Sequence, residues 1–369
     1  MLRKFEVSGF KNFKDNFVLD FTKVKNYDFN KHLVDINSKT LRAGCIFGKN
    51  SSGKSNLGFA LFDIVNHLTD DKEKTASEIA PYLNLDSNDK ALFRYEFLFD
   101  EDIVEYYCEK TDPLNLKEEK LIINGEKVAY YDYISKTGDI KFSSSQNLTI
   151  DNLPNNLSIV KYIKNNSILD NEEFNAFNKF YKFVENMLLF YSLNTNRYFG
   201  YTNITESIED AIIKEDKLND FEDFLNNLDI KCKLTASELN GKYIILNNFE
   251  EGTARFFITA STGTKALALF YYWLIKSPDV SLIFMDEFDA YYHYELSNHV
   301  VNEIVKRRPH SQIIFTSHNI NLMNNELLRP DCILLMRDNG IYSFSDLTKK
   351  ELRYAHNLQK LYRSGAFNE

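Results

Sequence analysis

The stretch that most restricts what this chain can fold into is Gly48-Lys49-Asn50-Ser51-Ser52-Gly53-Lys54-Ser55. Its spacing is G-x-x-x-x-G-K-[ST], and the spacing has physical reasons. Glycines let a tight loop turn its backbone N–H groups inward around phosphate oxygens. A helix that starts where the loop ends adds its partial positive charge. Lys54 is then placed to reach terminal phosphates, and the Ser55 hydroxyl to ligate Mg²⁺. Asn50, Ser51, Ser52 and Asn56 complete the expected cradle. Such a loop needs a strand before it and a helix after it. Residues 41–47 (LRAGCIF) read as a buried strand. Residues 56–68 carry Leu57, Leu61, Ile64, Val65 and Leu68 at helical spacing. The bland alternative, a polar turn, has no use for this context.

The chain has 369 residues, enough for two lobes with cores of their own. A net charge of −9 argues against a broadly basic surface for nucleic acid, though a local patch is still open. Cys45, Cys108, Cys232 and Cys332 are far apart and form no CxxC pair. Cys45 and Cys332 lie in apolar, strand-like runs. The reading is reduced thiols in the cytoplasm rather than disulfides or zinc. No apolar run approaches the roughly 18 residues of a membrane span. The start, MLRKFEVSGFKNF, alternates like a strand and lacks the apolar centre of a signal peptide. A soluble, cytoplasmic protein with no membrane partner is expected.

Four segments are expected along the chain. Residues 1–89 hold strands around Leu2–Val7 and Phe17–Phe21, then the phosphate loop and its helix. Residues 90–163 are short β-rich runs divided by turn signals such as Asn124-Gly125, and read as an antiparallel lobe. Residues 164–230 read as a helical insertion. One stripe there is Phe174, Phe177, Tyr181, Val184 and Leu188; another is Phe221, Phe224, Leu225 and Leu228. Residues 231–369 return to strands and helices. No long heptad run occurs, so no extended coiled coil is expected.

The second half answers the phosphate loop. Leu282-Ile283-Phe284-Met285-Asp286-Glu287 is an apolar strand ending in two acids. The first carboxylate, Asp286, can hold Mg²⁺ or its water, and the adjacent Glu287 can polarise an attacking water. One helix further on, Thr316-Ser317-His318-Asn319 follows another apolar run, where His318 is placed to meet a γ-phosphate; the alternative is a surface or core histidine. Upstream, Ser261-Thr262-Gly263-Thr264-Lys265 opens a helix. Ser261 and Gly263 are placed to bind an anion there, or Ser261 is a simple N-cap.

In this order, the phosphate loop, STGTK, the acidic strand and TSHN resemble the ABC-type ATPase heads of SMC-like and RecF-like proteins. Within that superfamily, the stretches SGFKNF, STGTKAL, DEFDAYYHYEL, FTSHN and HNLQKLYRSGAF resemble the compact AAA-family ATP-binding proteins of bacterial anti-phage systems: abortive-infection, PARIS-type and Septu-type ATPase subunits. The resemblance implies an α/β ABC-type head with a mixed P-loop sheet. It implies ATP and Mg²⁺ as ligands, Glu287 and His318 as catalytic residues, and Asp289 as the D-loop aspartate. Ser261 and Gly263 would face the γ-phosphate of a second protomer, so that ATP closes a homodimer or higher homo-oligomer. Lys11, in Phe10-Lys11-Asn12-Phe13, stands where relatives often use arginine. Lys265 stands where transporter signatures end differently, and no Q-loop glutamine is found between 70 and 100.

The implied role is a sensor or regulator of a separate, nuclease-like effector, triggered by a phage protein. Only about fifty residues follow His318, so no appended TOPRIM or HNH nuclease is expected. A rival reading is a RecF-like repair ATPase that binds DNA or RNA. It would use Lys306-Arg307-Arg308 with Lys349, Lys350, Arg353, Lys360 and Arg363, unless these form only a solvated charged face.

Overall fold

The computed structural model describes residues 1–69, 81–86, 89–142, 148–169, 172–191, 197–200, 206–290, 292–337 and 340–367. Along the chain, β1 (Leu2–Ser8) and β2 (Phe17–Asp20) precede the short β3 (Val34–Asp35) and β4 (Thr40–Leu41). Then come β5 (Ala43–Phe47), α1 (Lys54–Leu61) and α2 (Asp63–Leu68). A meander follows: β6 (Ala91–Phe99), β7 (Asp102–Lys110), β8 (Leu116–Ile123), β9 (Glu126–Asp132) and β10 (Thr137–Ile140). Next are α3 (Ile159–Asn166), α4 (Asn175–Glu185), β11 (Met187–Tyr191), β12 (Arg197–Gly200), α5 (Ile208–Lys214) and α6 (Leu218–Asn227). The last third holds β13 (Leu234–Leu239), β14 (Lys242–Phe249), β15 (Gly252–Arg255), α7 (Phe256–Thr259), α8 (Thr262–Lys276), β16 (Leu282–Asp286) and α9 (Tyr294–Arg307). It ends with β17 (Gln312–Ser317), β18 (Ile333–Arg337), β19 (Gly340–Ser343) and α10 (Leu358–Arg363).

Two seven-stranded sheets organise these elements. The first, ordered β10-β9-β8-β7-β6-β1-β2, is antiparallel. Alternation builds it: Ala91, Phe93, Tyr95 and Phe97 of β6 are buried while Arg94 between them is exposed. Its buried face receives α4, where Phe180 and Phe183 both meet the Phe97 ring edge-on. The N-terminal strands β1 and β2, expected beside the phosphate loop in the first segment, are part of this sheet. The antiparallel lobe is therefore drawn from both sides of the loop in sequence.

The second sheet is ordered β12-β11-β16-β17-β5-β18-β19. Its five central strands are parallel, and β12 and β19 run antiparallel at the edges. Strands covered on both faces need continuous apolar runs. β5 (AGCIF) and β16 (LIFMD) are buried at every position. This is the mixed P-loop sheet expected from the sequence.

Two readings of local structure change. Residues 56–68 are not one helix; α1 ends at Leu61 and α2 restarts at Asp63. Leu188 does not continue the helical stripe of Phe177, Tyr181 and Val184. It lies in β11, paired in register with Ile283 of β16. Met187-Leu188-Leu189-Phe190 is short and apolar, a pattern that helical and strand periodicities share. The segment expected as a helical insertion thus supplies β11 and β12 to the main sheet. Among the described residues, the longest helix is α8, with 15 residues; no helix is long and apolar enough to cross a membrane.

Candidate nucleotide site

Parallel pairing sets the site. β5 lies between β17 and β18, and β16 lies beside β17. Ser317 is level with Phe47, and Phe315 with Met285. The carboxyl ends of β5, β16 and β17 therefore reach one edge of the sheet together. That edge carries the phosphate loop together with Asp286-Glu287 and Thr316-Ser317-His318, which follow it by more than two hundred residues of chain.

From β5 the loop turns through Ser51 (φ 62°) and Gly53 (φ 100°) into α1. Gly53 is required twice over. Its φ is costly for any residue with a Cβ, and a Cβ there would stand 2.3 Å from Asn12 Nδ2. Asn12 also accepts a 2.7 Å hydrogen bond from Asn56 Nδ2, tying the β1–β2 turn to the first turn of α1. Gly58 permits close approach: a Cβ would meet the Phe284 ring at 2.9 Å, so α1 lies directly on β16.

The buried Lys54 folds back over the loop. Its Nζ donates to the carbonyls of Gly48 (3.1 Å) and Lys49 (3.2 Å). Burial lowers its pKa, while the charges of Glu287 and Asp286 oppose the shift. The Ser52 hydroxyl is buried with no hydrogen-bond partner, an unusual state for a polar group unless a ligand completes it. Lys49, Asn50 and Ser51 are exposed.

Asp286 is 2% exposed. It accepts a 2.7 Å hydrogen bond from Thr316 Oγ1, and the Ser55 hydroxyl is near enough to favour its charged form. Burial raises its pKa; the Ser55 and Thr316 hydroxyls act the other way. Glu287 has a left-handed backbone, φ 43°, a costly state that clusters at functional sites. Its N–H donates to the same Thr316 Oγ1 at 2.7 Å. Its Oε1 lies 3.3 Å from His318 Nε2. Asp289 accepts from the buried Ser317 Oγ at 2.6 Å. Burial raises the Asp289 pKa, against pulls from Ser317 and His318.

Lys11 (φ 45°) is held by its backbone, its N–H donating to Tyr82 O at 3.0 Å and its carbonyl accepting from Asn84 Nδ2 at 2.5 Å. With Asn12, Asn56, Leu83, Asn84 and Asp86 it lines a cavity of about 340 Å³ beside α1. Burial lowers the Lys11 pKa. Ser261 is placed differently. It caps α8, accepting from Thr264 N at 3.1 Å, and its exposed hydroxyl lies 2.9 Å from Thr264 Oγ1. Gly263 follows in the first turn. Among the described residues, no hydrogen bond joins Ser261 to the phosphate loop, Asp286, Glu287 or His318 of its own chain.

Sequence reasoning singled out His318 and passed over the residues that hold its neighbours. Thr316 bridges Asp286 and Glu287, Ser317 holds Asp289, and Asn12 holds Asn56. The available signal was a pair of hydroxyls ending an apolar strand next to an acidic one. The basic run 306–308 does not form one face for a polyanion. Arg307 pairs with Glu303 at 2.6 Å and with Asp220 at 3.1 Å, and Arg308 donates to the carbonyls of Pro278 and Leu274. His299 pairs with Asp229 at 3.2 Å, and His293 precedes the first turn of α9.

Comparison with curated proteins gives no match. Solved structures with a similar chain path include the SMC head domain from Thermotoga maritima, at 15% identity and TM-score 0.44, with 93% of this chain and 98% of that one covered. An SmcHead bound to the C-winged helix domain of ScpA has 17% identity and TM-score 0.44 over the same shares. An Smc head with an extended coiled coil, bound to the C-terminal domain of ScpA derived from Pyrococcus furiosus, has 14% identity and TM-score 0.45, with 92% and 94% covered. Residues 45–324 match the family described as "AAA domain, putative AbiEii toxin, Type IV TA system". That span runs from β5 through the phosphate loop, the acidic strand and His318, and the chain belongs to this AAA-domain family.

Proposed function

We propose that this chain binds and hydrolyses ATP as a dimerisation switch, and that the switch regulates a separate toxic effector in bacterial anti-phage defence. The observation that carries the reading is the meeting of Lys54, Ser55, Asp286, Glu287 and His318 at one sheet edge. Three independent motifs of a phosphoryl-transfer site share that edge.

The residues fit a Mg²⁺ ion and a triphosphate. The Ser55 hydroxyl and the Asp286 carboxylate lie close enough to interact, an oxygen donor pair of the kind that holds Mg²⁺, and Ser52 Oγ is buried without a partner. When bound, Mg²⁺ supplies charge neutralisation on the phosphate oxygens. Lys54 exchanges its two carbonyl acceptors for phosphate oxygens. Glu287 orients a water and takes its proton, with the carboxylate aimed through the 3.3 Å contact to His318. His318 contacts the γ-phosphate. Lys11 and Asn12 border the nucleoside end. Ser261 and Gly263 act across a dimer: among the described residues the cap of α8 has no hydrogen bond to its own chain's phosphate loop, so it is open to a second copy's γ-phosphate.

The family description, with its AbiEii toxin and toxin–antitoxin terms, supports a place in defence. The effector is then a separate, nuclease-like protein and the trigger a phage component. The test is the solution mass of Glu287→Gln by light scattering, with and without Mg-ATP. Hydrolysis should fall by about 10²–10⁴ and ATP should double the mass. Retained ATP binding with unchanged mass would sink the dimer switch. Undiminished hydrolysis would remove Glu287 from its role.

A further inference from the structure

The opposite end of the parallel sheet carries a groove of about 540 Å³, within the range of about 300–1,000 Å³ typical of ligand sites. Four elements meet there: the end of β6, the helix α4, the loop entering β16 and the loop entering β17. Its apolar lining includes Phe99, Phe183, Val280 and Pro309. Its charged lining is Lys179, Lys182, Arg307 and Arg308 against one carboxylate, Asp279, with His310 beside them. The whole chain has 53 acidic and 44 basic residues, whereas basic side chains outnumber acidic ones in the groove lining; acids just outside the lining offset part of that excess.

These cations are not equally available. Arg307 is neutralised by Glu303 and Asp220, and Lys179 pairs with Asp100 at 2.5 Å. Lys182 is 69% exposed and only loosely paired, 3.8 Å from Asp279. Among the described residues no carboxylate pairs with Arg308; its guanidinium meets only carbonyls, and its Nε is buried without a partner. Among the described lining residues, Lys182 and the half-buried Arg308 share one carboxylate, Asp279; two cations on one counter-charge, over an apolar floor, favour an anion that also brings an apolar group.

We propose that this groove docks a short acidic peptide segment of a partner protein. A bulky apolar side chain sits against Phe183 and Val280, and flanking carboxylates meet Lys182, Arg308 and His310. An apolar floor with one carboxylate at the rim suits a peptide better than a phosphate backbone, which offers charge and no anchor. From Ser281 to Asp286 the strand spans roughly 16 Å, at ~3.3 Å per residue. The groove therefore lies apart from the nucleotide site, and the proposal does not depend on nucleotide chemistry.

The test pans a displayed library of random short peptides on the full chain, with the Lys182→Glu/His310→Glu double variant as counter-selection. Enriched peptides should carry acidic residues around one bulky apolar residue. Made synthetically, they should bind the variant at least about tenfold more weakly and lose affinity with added salt. Lys182→Gln/His310→Gln, which only removes charge, should give an intermediate loss and an unchanged melting temperature. No enrichment, no acidic bias, or equal binding to the double variant overturns the proposal. So does a single-stranded oligonucleotide that binds the native chain and not the variant, which would make the groove a nucleic-acid site.

Discussion

Thr316 Oγ1 stands between two acids: it donates to Asp286 Oδ1 and accepts from Glu287 N–H, both at 2.7 Å. One hydroxyl thus fixes a carboxylate expected to face Mg²⁺ and the strained backbone of the expected general base. Thr316→Val keeps the shape and removes both bonds. Loss of the buried bonds should cost about 1–3 kcal/mol in urea unfolding. The pH dependence has a definite sign. Asp286 already holds its proton to a higher pH than an ordinary aspartate because it is buried. Thr316 favours the charged form, so its removal raises the pKa further. Mg-ATP affinity, measured by calorimetry, should weaken on acidification from a higher pH in the variant than in the native chain. Identical pH profiles would rule out Asp286 as the group that governs binding.

Gly53→Ala tests the phosphate loop without touching a charge. Alanine meets both an unfavourable φ of 100° and the Asn12 amide. Stability should fall by more than about 1 kcal/mol, and ATP binding should be lost while the folded circular-dichroism spectrum is kept. Full ATP affinity in this variant would mean that the loop does not cradle phosphate in the observed conformation.

The P-loop core is joined to the antiparallel lobe by a buried ion pair. Lys110 of β7 donates to Asp63 of α2 at 2.8 Å, and both are fully buried. Tyr82 adds a bond to Asp63 at 3.0 Å. Lys110→Met leaves a buried carboxylate without its cation and should cost about 3–5 kcal/mol. Lys110→Met/Asp63→Leu should recover much of that, because an apolar pair of similar bulk avoids both desolvation penalties. Denaturation curves of the two variants decide between an electrostatic and a purely packing role.

Glu119 collects four donors in the same lobe: Tyr106 and Tyr133 hydroxyls at 2.8 Å, Ser158 Oγ at 2.5 Å and Ile159 N at 2.9 Å. Glu119→Gln replaces an acceptor with an NH₂ facing these donors, a cost of about 1–3 kcal/mol. Burial raises the Glu119 pKa above its ordinary 4.5 despite the donors. Ionising it therefore reduces native stability as pH rises from 4.5 through the raised value, and the cost is absent below 4.5. The native chain's advantage over Glu119→Gln should be largest in acid and narrow as pH rises. A gap that widens with pH would mean that the four donors outweigh burial.

What the sequence determined by itself is local. The phosphate loop between a buried strand and a helix, the apolar strand ending in Asp286-Glu287, the His318 turn and the N-cap at Ser261 all follow from spacing and strand or helix chemistry within short windows. The short β-rich runs and turn signals of residues 90–163 likewise announced an antiparallel lobe. What only the tertiary structure decided is which strands lie side by side. Pairing between β16 and β17, and between β17 and β5, puts Thr316 level with the carboxylates, and no short window of sequence contains that register. The return of β1 and β2 to the antiparallel sheet, the passage of Leu188 into β11, and the Asn12–Asn56 contact have the same origin. Short apolar runs satisfy strand and helix periodicity alike, so long-range hydrogen bonding and burial on both faces settle the choice. The basic run 306–308 is the converse case: as sequence it is a uniform charge run, and the fold turned Arg307 onto carboxylates and Arg308 onto carbonyls because each could be buried only where its donors were met.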